Sequence, residues 1–245
     1  HFFKIIINKL KKLNDILTGV VFDKIVGDSA IEIHAVVFDS RKIQQKDVFV
    51  AQKGVTVDGH LFIEKAIDLG AIAIVCEELP VNQKEGITYI QVKDANSALA
   101  MLASNYFDNP SLNLKLIGVT GTNGKTTIVS LLYQLFKKSG YKVGLLSTVK
   151  IIVDKTEFEA THTTPDSITI NQYLKQMVTA GVDYCFMEVS SHGIHQKRTH
   201  GLHFIGGVYT NLSHDHLDYH NSFAEYRDVK KSFFDSLPKT AFALA

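Results

Sequence analysis

Apolar residues along this 245-residue chain gather in short runs that alternate with stretches of helical spacing. Short apolar runs bounded by turn residues predict strands. In the first part of the chain they fall at 31–38, 48–51, 71–76 and 89–92, with a helix expected over 61–69. Residues 95–107 predict a further helix, and Asp108-Asn109-Pro110-Ser111 then breaks the pattern. A domain boundary is expected there, giving a first domain over 1–110 and a second over 111–245. Beyond it, apolar runs at 114–119, 143–146, 184–189 and 204–209 alternate with helical patterns. Such continuous apolar runs suit a mostly parallel sheet covered on both faces, so the fold class is α/β.

Two of the intervening helices are marked by their own residues. Ile128, Leu131, Leu132 and Leu135 recur at helical spacing until Lys137, Lys138 and Gly140 close the segment. In the other, Thr164 is the expected cap, Pro165 suits the first turn, and Ile170, Tyr173, Leu174 and Met177 line one face before Gly181.

Between the run at 114–119 and the first of these helices, residues 118–127 read Gly-Val-Thr-Gly-Thr-Asn-Gly-Lys-Thr-Thr. A strand, a glycine-bearing loop and a helix in that order make a phosphate cradle. Gly121 and Gly124 let backbone N–H groups turn towards an anion, Lys125 adds positive charge, and the Thr126 hydroxyl suits magnesium. The expected ligand is a nucleoside triphosphate with its metal. The first glycine of G-x-x-x-x-G-K-S/T falls at Val119, so the Gly-Lys-Thr ending and its context carry the assignment.

Composition leaves this reading intact. A chain of this length can bury a core in one or two domains. A formal net charge of +1 gives no whole-chain argument for nucleic acid or for an anionic membrane. Cys76 and Cys185 sit inside apolar runs without zinc spacing and are expected to be buried, reduced thiols, as in a cytoplasmic protein. The apolar run at 2–7 is short and is followed by Asn8, Lys9, Lys11 and Lys12, so it predicts an amphipathic helix or strand rather than a signal peptide or membrane span.

In open α/β sheets, ligands gather at the carboxyl ends of the strands. The run at 184–189 delivers Glu188, Ser190, Ser191 and His192 there, and the run at 204–209 delivers Thr210, Asn211 and the polar stretch 213–220. Taken singly, Glu188 also reads as a strand-end carboxylate and each histidine as a structural residue. Together with the loop they suit a magnesium shell of a carboxylate, an imidazole, Thr126 and phosphate oxygens. Residues 214–220 also approach the H-x-H-x-D-H motif of metallo-β-lactamase-type hydrolases, with Tyr219 where a histidine would follow Asp218.

These residues resemble the ATP-dependent Mur ligase family of bacterial peptidoglycan synthesis. The resemblance rests on Gly-Thr-Asn-Gly-Lys-Thr-Thr at 121–127, Met-Glu-Val-Ser-Ser-His-Gly at 187–193, and Thr210-Asn211-Leu212 with Asp-His-Leu-Asp-Tyr-His at 215–220. Ser-Ser-His-Gly with Gln196 and Arg198 behind it is similar to the type that adds the third stem-peptide residue to UDP-MurNAc-dipeptide. Upstream, Phe38-Asp39-Ser40-Arg41 and Asp58-Gly59-His60 are similar to the family's uridine diphosphate domain.

The resemblance implies roles for single residues. Gly121, Thr122, Asn123, Gly124, Lys125, Thr126 and Thr127 match the ATP loop. Phe38, Ser40, Val55, Thr56 and Val57 match uridine-nucleotide contacts, and Thr163, Thr164, Ser190, Gln196 and Arg198 match contacts to the sugar-peptide. Glu188 and His216 match magnesium ligands, and Lys230 matches a lysine carried as a carbamate; read without the family, Lys230 is a solvated lysine on an amphipathic helix. His162 departs from the asparagine common before the two threonines. The implied catalytic set is Lys125, Glu188, His216 and Lys230, and the implied reaction is acyl-phosphate formation followed by attack of an amino acid, in a monomer. The chain stops inside what resembles the central domain, so the amino-acid-binding domain lies outside it and these 245 residues alone are expected not to complete ligation. A nucleotide-binding module without ligase activity and a folylpolyglutamate synthetase-like ligase are the alternatives; the Ser-Ser-His-Gly segment speaks against the latter.

Overall fold

The computed structural model describes residues 10–54, 57–213, 219–220 and 222–245. The expected element at 2–7, together with Val55, Thr56, His216 and most of the stretch 213–220, lies outside them. The chain divides into two compact units, one ending at Tyr106 and one running Phe107–Ala245.

In the first unit β1 (Lys11–Lys12), α1 (Leu13–Ile16), β2 (Phe22–Val26), β3 (Glu32–Ile33), β4 (Val36–Val37) and β5 (Val48–Val50) precede α2 (Ile63–Asp68), β6 (Ala73–Cys76), β7 (Thr88–Val92) and α3 (Ala95–Tyr106). The main sheet has the order β2-β7-β6-β5-β4, parallel except for β2, and β1 pairs separately with β3. The single strand expected over 31–38 is therefore two. The chain changes partner at His34, whose N–H donates to the Lys46 carbonyl at 2.8 Å. The His34 ring meets the buried Asp47 carboxylate at 2.9 Å, and its carbonyl accepts from the Tyr106 hydroxyl. Residue 34 is thus spent on the neighbouring turn, and the ladder breaks there.

In the second unit β8 (Lys115–Thr120), α4 (Lys125–Lys138), β9 (Val143–Leu146), β10 (Ile151–Val153) and β11 (Thr156–Phe158) are followed by α5 (Ser167–Thr179), β12 (Tyr184–Glu188), α6 (Ser191–His195), β13 (Phe204–Tyr209), α7 (Phe223–Asp235) and β14 (Phe242–Leu244). The sheet order is β11-β10-β9-β12-β8-β13-β14. Strands β9, β12, β8, β13 and β14 are parallel, and β10 and β11 form an antiparallel extension that short, isolated apolar runs did not announce. The loop-bearing strand β8 lies between β12 and β13, so three carboxyl ends that carry polar residues are neighbours.

Apolar clusters cover both faces of this sheet. On one, Ile117, Val119 and Phe186 pack against Val129 and Tyr133 of α4; on the other, Leu116, Cys185 and Met187 share a cluster with Ile170, Leu174 and Met177 of α5 and Phe233 of α7. Two expectations need correction. The buried positions of α4 are Val129 and Tyr133, whereas Leu131 and Leu135 are exposed, because the sheet meets α4 along the side carrying 129 and 133. The cap of α5 is Asp166, whose carboxylate accepts from the Thr169 N–H at 2.9 Å. Thr164 is held elsewhere, donating to the Glu188 carbonyl. Both cysteines are buried and free, and burial pushes the Cys76 thiol up to about 11.

Met177 is fully buried against Gly144, whose missing side chain leaves room for the thioether. Met177→Ala is expected to cost about 2–5 kcal/mol. Urea unfolding should then show a lower midpoint at unchanged slope, and an unmoved midpoint would contradict this packing.

Candidate functional site

The loop after β8 is locked by its neighbour. Thr122 N–H donates to the Asn211 carbonyl at 2.9 Å, Asn123 N–H to Asn211 Oδ1 at 3.0 Å, and the Thr210 hydroxyl to the Asn123 carbonyl at 2.6 Å. Gly121 has φ 143° and Gly124 φ 83°, both in the region that favours glycine. A β-carbon on Gly121 would also collide with the Thr210 hydroxyl. Gly124 caps α4 without a side-chain hydrogen bond, so no capping side chain occupies the first-turn N–H groups, which suits an anion cradle.

Charge converges on this loop. Lys125 Nζ donates to the Gly121 carbonyl at 3.0 Å and to the Thr122 carbonyl at 2.8 Å. Lys230 is 2% exposed, and its Nζ donates to the same Gly121 carbonyl at 2.8 Å over the Tyr226 ring. The solvated-lysine reading of Lys230 is therefore wrong: α7 turns this position inward. Two ammonium groups on one oxygen are at most roughly 6 Å apart, a repulsion of about 3 kcal/mol at an effective dielectric near 20.

Glu188 at the end of β12 is 1% exposed. Its Oε2 accepts from the Thr126 hydroxyl at 3.0 Å, its Oε1 accepts from the Thr148 N–H at 2.8 Å, and the Thr148 hydroxyl lies 3.1 Å from Oε2 and 3.2 Å from Thr163 Oγ1. Thr148 was missed in the sequence, although it stands just beyond the apolar run 143–146 and the strand-end rule reaches it.

Behind Glu188 the remaining expected residues form one connected group. Thr164 is buried; its hydroxyl donates to the Glu188 carbonyl at 3.0 Å and accepts from the Ser190 N–H at 2.9 Å. Ser190 caps α6, accepting from the Gly193 N–H at 3.1 Å. Arg198 donates to the Thr164 carbonyl and twice to Gln196 Oε1. Burial pushes the Arg198 guanidinium below its ordinary value. The exposed Thr127 lies at the start of α4, away from this group.

In the first unit, a cleft of about 630 Å³ is lined by Phe38, Ser40, Arg41, Gln52, Val57 and Lys65, among others. It gathers the expected uridine residues that are described. The Arg41 guanidinium, paired with Asp39 at 2.8 Å, holds that carboxyl down at about 2. Among the described residues no group of three or more His, Cys, Asp or Glu is arranged to hold a metal, and no helix is long and apolar enough to cross a membrane.

Residues 119–245 match the family model of the Mur ligase middle domain, and residues 32–107 match the Mur ligase family, catalytic domain. The chain belongs to the Mur ligase family. It is 53% identical over 234 residues to the UDP-N-acetylmuramoyl-L-alanyl-D-glutamate--2,6-diaminopimelate ligase of Cytophaga hutchinsonii, covering 95% of this chain and 48% of that protein. With the ligase of the same name from Clostridium perfringens it shares 42% over 223 residues, covering 91% and 46%. A solved structure of a ligase of that name superposes with TM-score 0.77 at 25% identity, over 92% of this chain and 45% of the other. The chain thus spans about half the length of the relatives it matches. Membership in this family sets aside the metallo-β-lactamase motif.

Gly121→Ala combines a strained backbone with the Thr210 collision and is expected to cost about 1–3 kcal/mol. A thermal midpoint equal to that of the parent protein would contradict the clamp described here.

Proposed function

We propose that this chain forms the UDP-sugar-binding and ATP-binding parts of an ATP-dependent amide ligase of peptidoglycan precursor synthesis. Its acyl substrate is UDP-N-acetylmuramoyl-L-alanyl-D-glutamate and the amine it joins is 2,6-diaminopimelate, the substrates in the names of its relatives. The observation that carries this reading is the buried Glu188 carboxylate on the Thr126 hydroxyl, beside a loop onto which Lys125 and Lys230 converge.

The residues fit magnesium. Glu188 and Thr126 offer hard oxygen ligands side by side, as this cation requires. Bound there, it would neutralise charge on the phosphates. His216 is the proposed imidazole partner and lies outside the described residues. For Lys230, buried on the Gly121 carbonyl beside Lys125, we propose the carbamate that the family resemblance implies, which would turn this cation into an anion beside the loop.

The chemistry asked of this chain is positioning and charge stabilisation. The first-turn N–H groups of α4 hold the phosphates, and Lys125 leaves its loop carbonyls to follow the charge on the transferred γ-phosphoryl group. Arg198, Ser190 and Thr164 orient the acyl substrate, whose terminal carboxylate attacks that phosphorus as the bond to the β-phosphate oxygen breaks, giving an acyl phosphate and ADP. The amino group of diaminopimelate then displaces phosphate. In the first unit, Phe38, Ser40 and Val57, with Val55 and Thr56, hold the uridine nucleotide, and Arg41 and Lys65 supply positive charge on the wall of the cleft.

Three measurements test this reading. Lys125→Ala removes a charge-assisted contact and should weaken ATP affinity or turnover by about 1.5–3 kcal/mol. Equal calorimetric affinity and equal turnover in parent and variant would refute the role of the loop. UDP-MurNAc-dipeptide should shift the amide resonances of Ser40 and Val57, and shifts confined to the second unit would refute the uridine site. Mass detection of the tripeptide product, with each candidate amine offered to the ligase, decides the amine.

A further inference from the structure

Tyr219 is absent from every role assigned above, yet its hydroxyl is a junction of the site. It lies 2.9 Å from His195 Nδ1 and accepts from Gln196 Nε2 at 3.1 Å. Its ring lies against His192 at a centroid distance of 3.9 Å. The other end of the Gln196 amide, Oε1, accepts from Arg198 Nε at 3.1 Å and from Nη2 at 2.6 Å, and Arg198 Nη1 donates to the Thr164 carbonyl at 2.6 Å. Through the Thr164 hydroxyl the series reaches the main chain of Glu188. One run of hydrogen bonds therefore connects the segment after residue 218 to the strand end that carries the buried carboxylate.

The polarity of that run is informative. A glutamine amide has a donor end and an acceptor end, and turning it over would set an NH2 group against a guanidinium that can only donate. An acceptor facing Nε2 favours the one orientation in which Oε1 serves Arg198. Tyr219 supplies that acceptor while its own proton is available to His195 Nδ1. The three donors that Arg198 has committed go to uncharged oxygens; the Asp166 carboxylate acts on the guanidinium through space without a hydrogen bond, and two of its five N–H groups remain for a ligand.

We propose that Tyr219 is a positioning residue for the acyl substrate: it fixes the Gln196 amide so that Arg198 presents its remaining N–H groups and its charge to a carboxylate of that substrate. This rests on the reading of Arg198 as a substrate contact. Specificity for the anionic peptide part is then set by a residue next to the 214–218 segment rather than by Arg198 alone.

The test is Tyr219→Phe in the full-length protein, which keeps the ring against His192 and deletes only the hydroxyl. Calorimetry is expected to give about a tenfold weaker affinity for UDP-MurNAc-dipeptide, with ATP affinity and the thermal midpoint unchanged. The variant should exchange the Arg198 Nε proton faster in ¹⁵N-arginine spectra, a readout that needs no turnover. Gln196→Ala combined with Tyr219→Phe should be no weaker in substrate affinity than Gln196→Ala alone. Unchanged substrate affinity or unchanged Nε exchange in Tyr219→Phe overturns the role of Tyr219, as does an equal loss of ATP affinity. A parent protein that binds ATP and not UDP-MurNAc-dipeptide overturns the functional reading itself, and with it this proposal.

Discussion

The carbonyl of Gly121 is the point on which the second unit depends. It accepts from Lys125 on α4 and from Lys230 on α7, so one main-chain oxygen ties the helices on opposite faces of the sheet to the end of β8. Only glycine tolerates both the backbone angle and the close approach of Thr210 there. The loop is therefore held by contacts within the protein itself.

A second constraint follows from strand order. Because β8 lies between β12 and β13, the residues leaving those strands are forced into the space above the loop. Glu188 arrives from one side and meets Thr126; Thr210 and Asn211 arrive from the other and clamp Asn123. A buried carboxylate is tolerable only when its oxygens are well supplied with donors, and Thr126 with Thr148 supplies them. The same hydroxyls that satisfy Glu188 also keep a set of hard oxygens together, so a local folding requirement and a chemical function coincide.

The group behind Glu188 has a different character. Thr164, Ser190, Gln196 and Arg198 are joined by hydrogen bonds to main-chain and amide oxygens, and Arg198 is the charged member among them. Half-burying a guanidinium on neutral acceptors costs stability, and the cost is offset when an anion arrives. Together, the two regions differ in character within one sheet end: charge converges on the loop, whereas neutral hydrogen-bonding groups surround a single guanidinium at α6 and beyond.

The sequence by itself determined the α/β class, a mostly parallel sheet in the second unit and the loop with its Gly-Lys-Thr ending, because apolar runs of strand length and a glycine-bearing turn are local properties of the chain. It also identified Glu188, Ser190, Thr210 and Asn211, since strand ends are readable wherever a strand is. It misjudged the face of α4, the cap of α5 and the unity of the segment 31–38. Each of those depends on a partner distant in the chain: the sheet under Val129, the Glu188 carbonyl that takes Thr164, and Tyr106 with the turn at Lys46 that divides the strand at His34. Only the tertiary structure turned Lys230 inward onto Gly121, put Thr148 beside Glu188 and joined Tyr219 to Gln196, because these contacts form between residues that pattern alone does not relate and that come together only when the sheet is assembled.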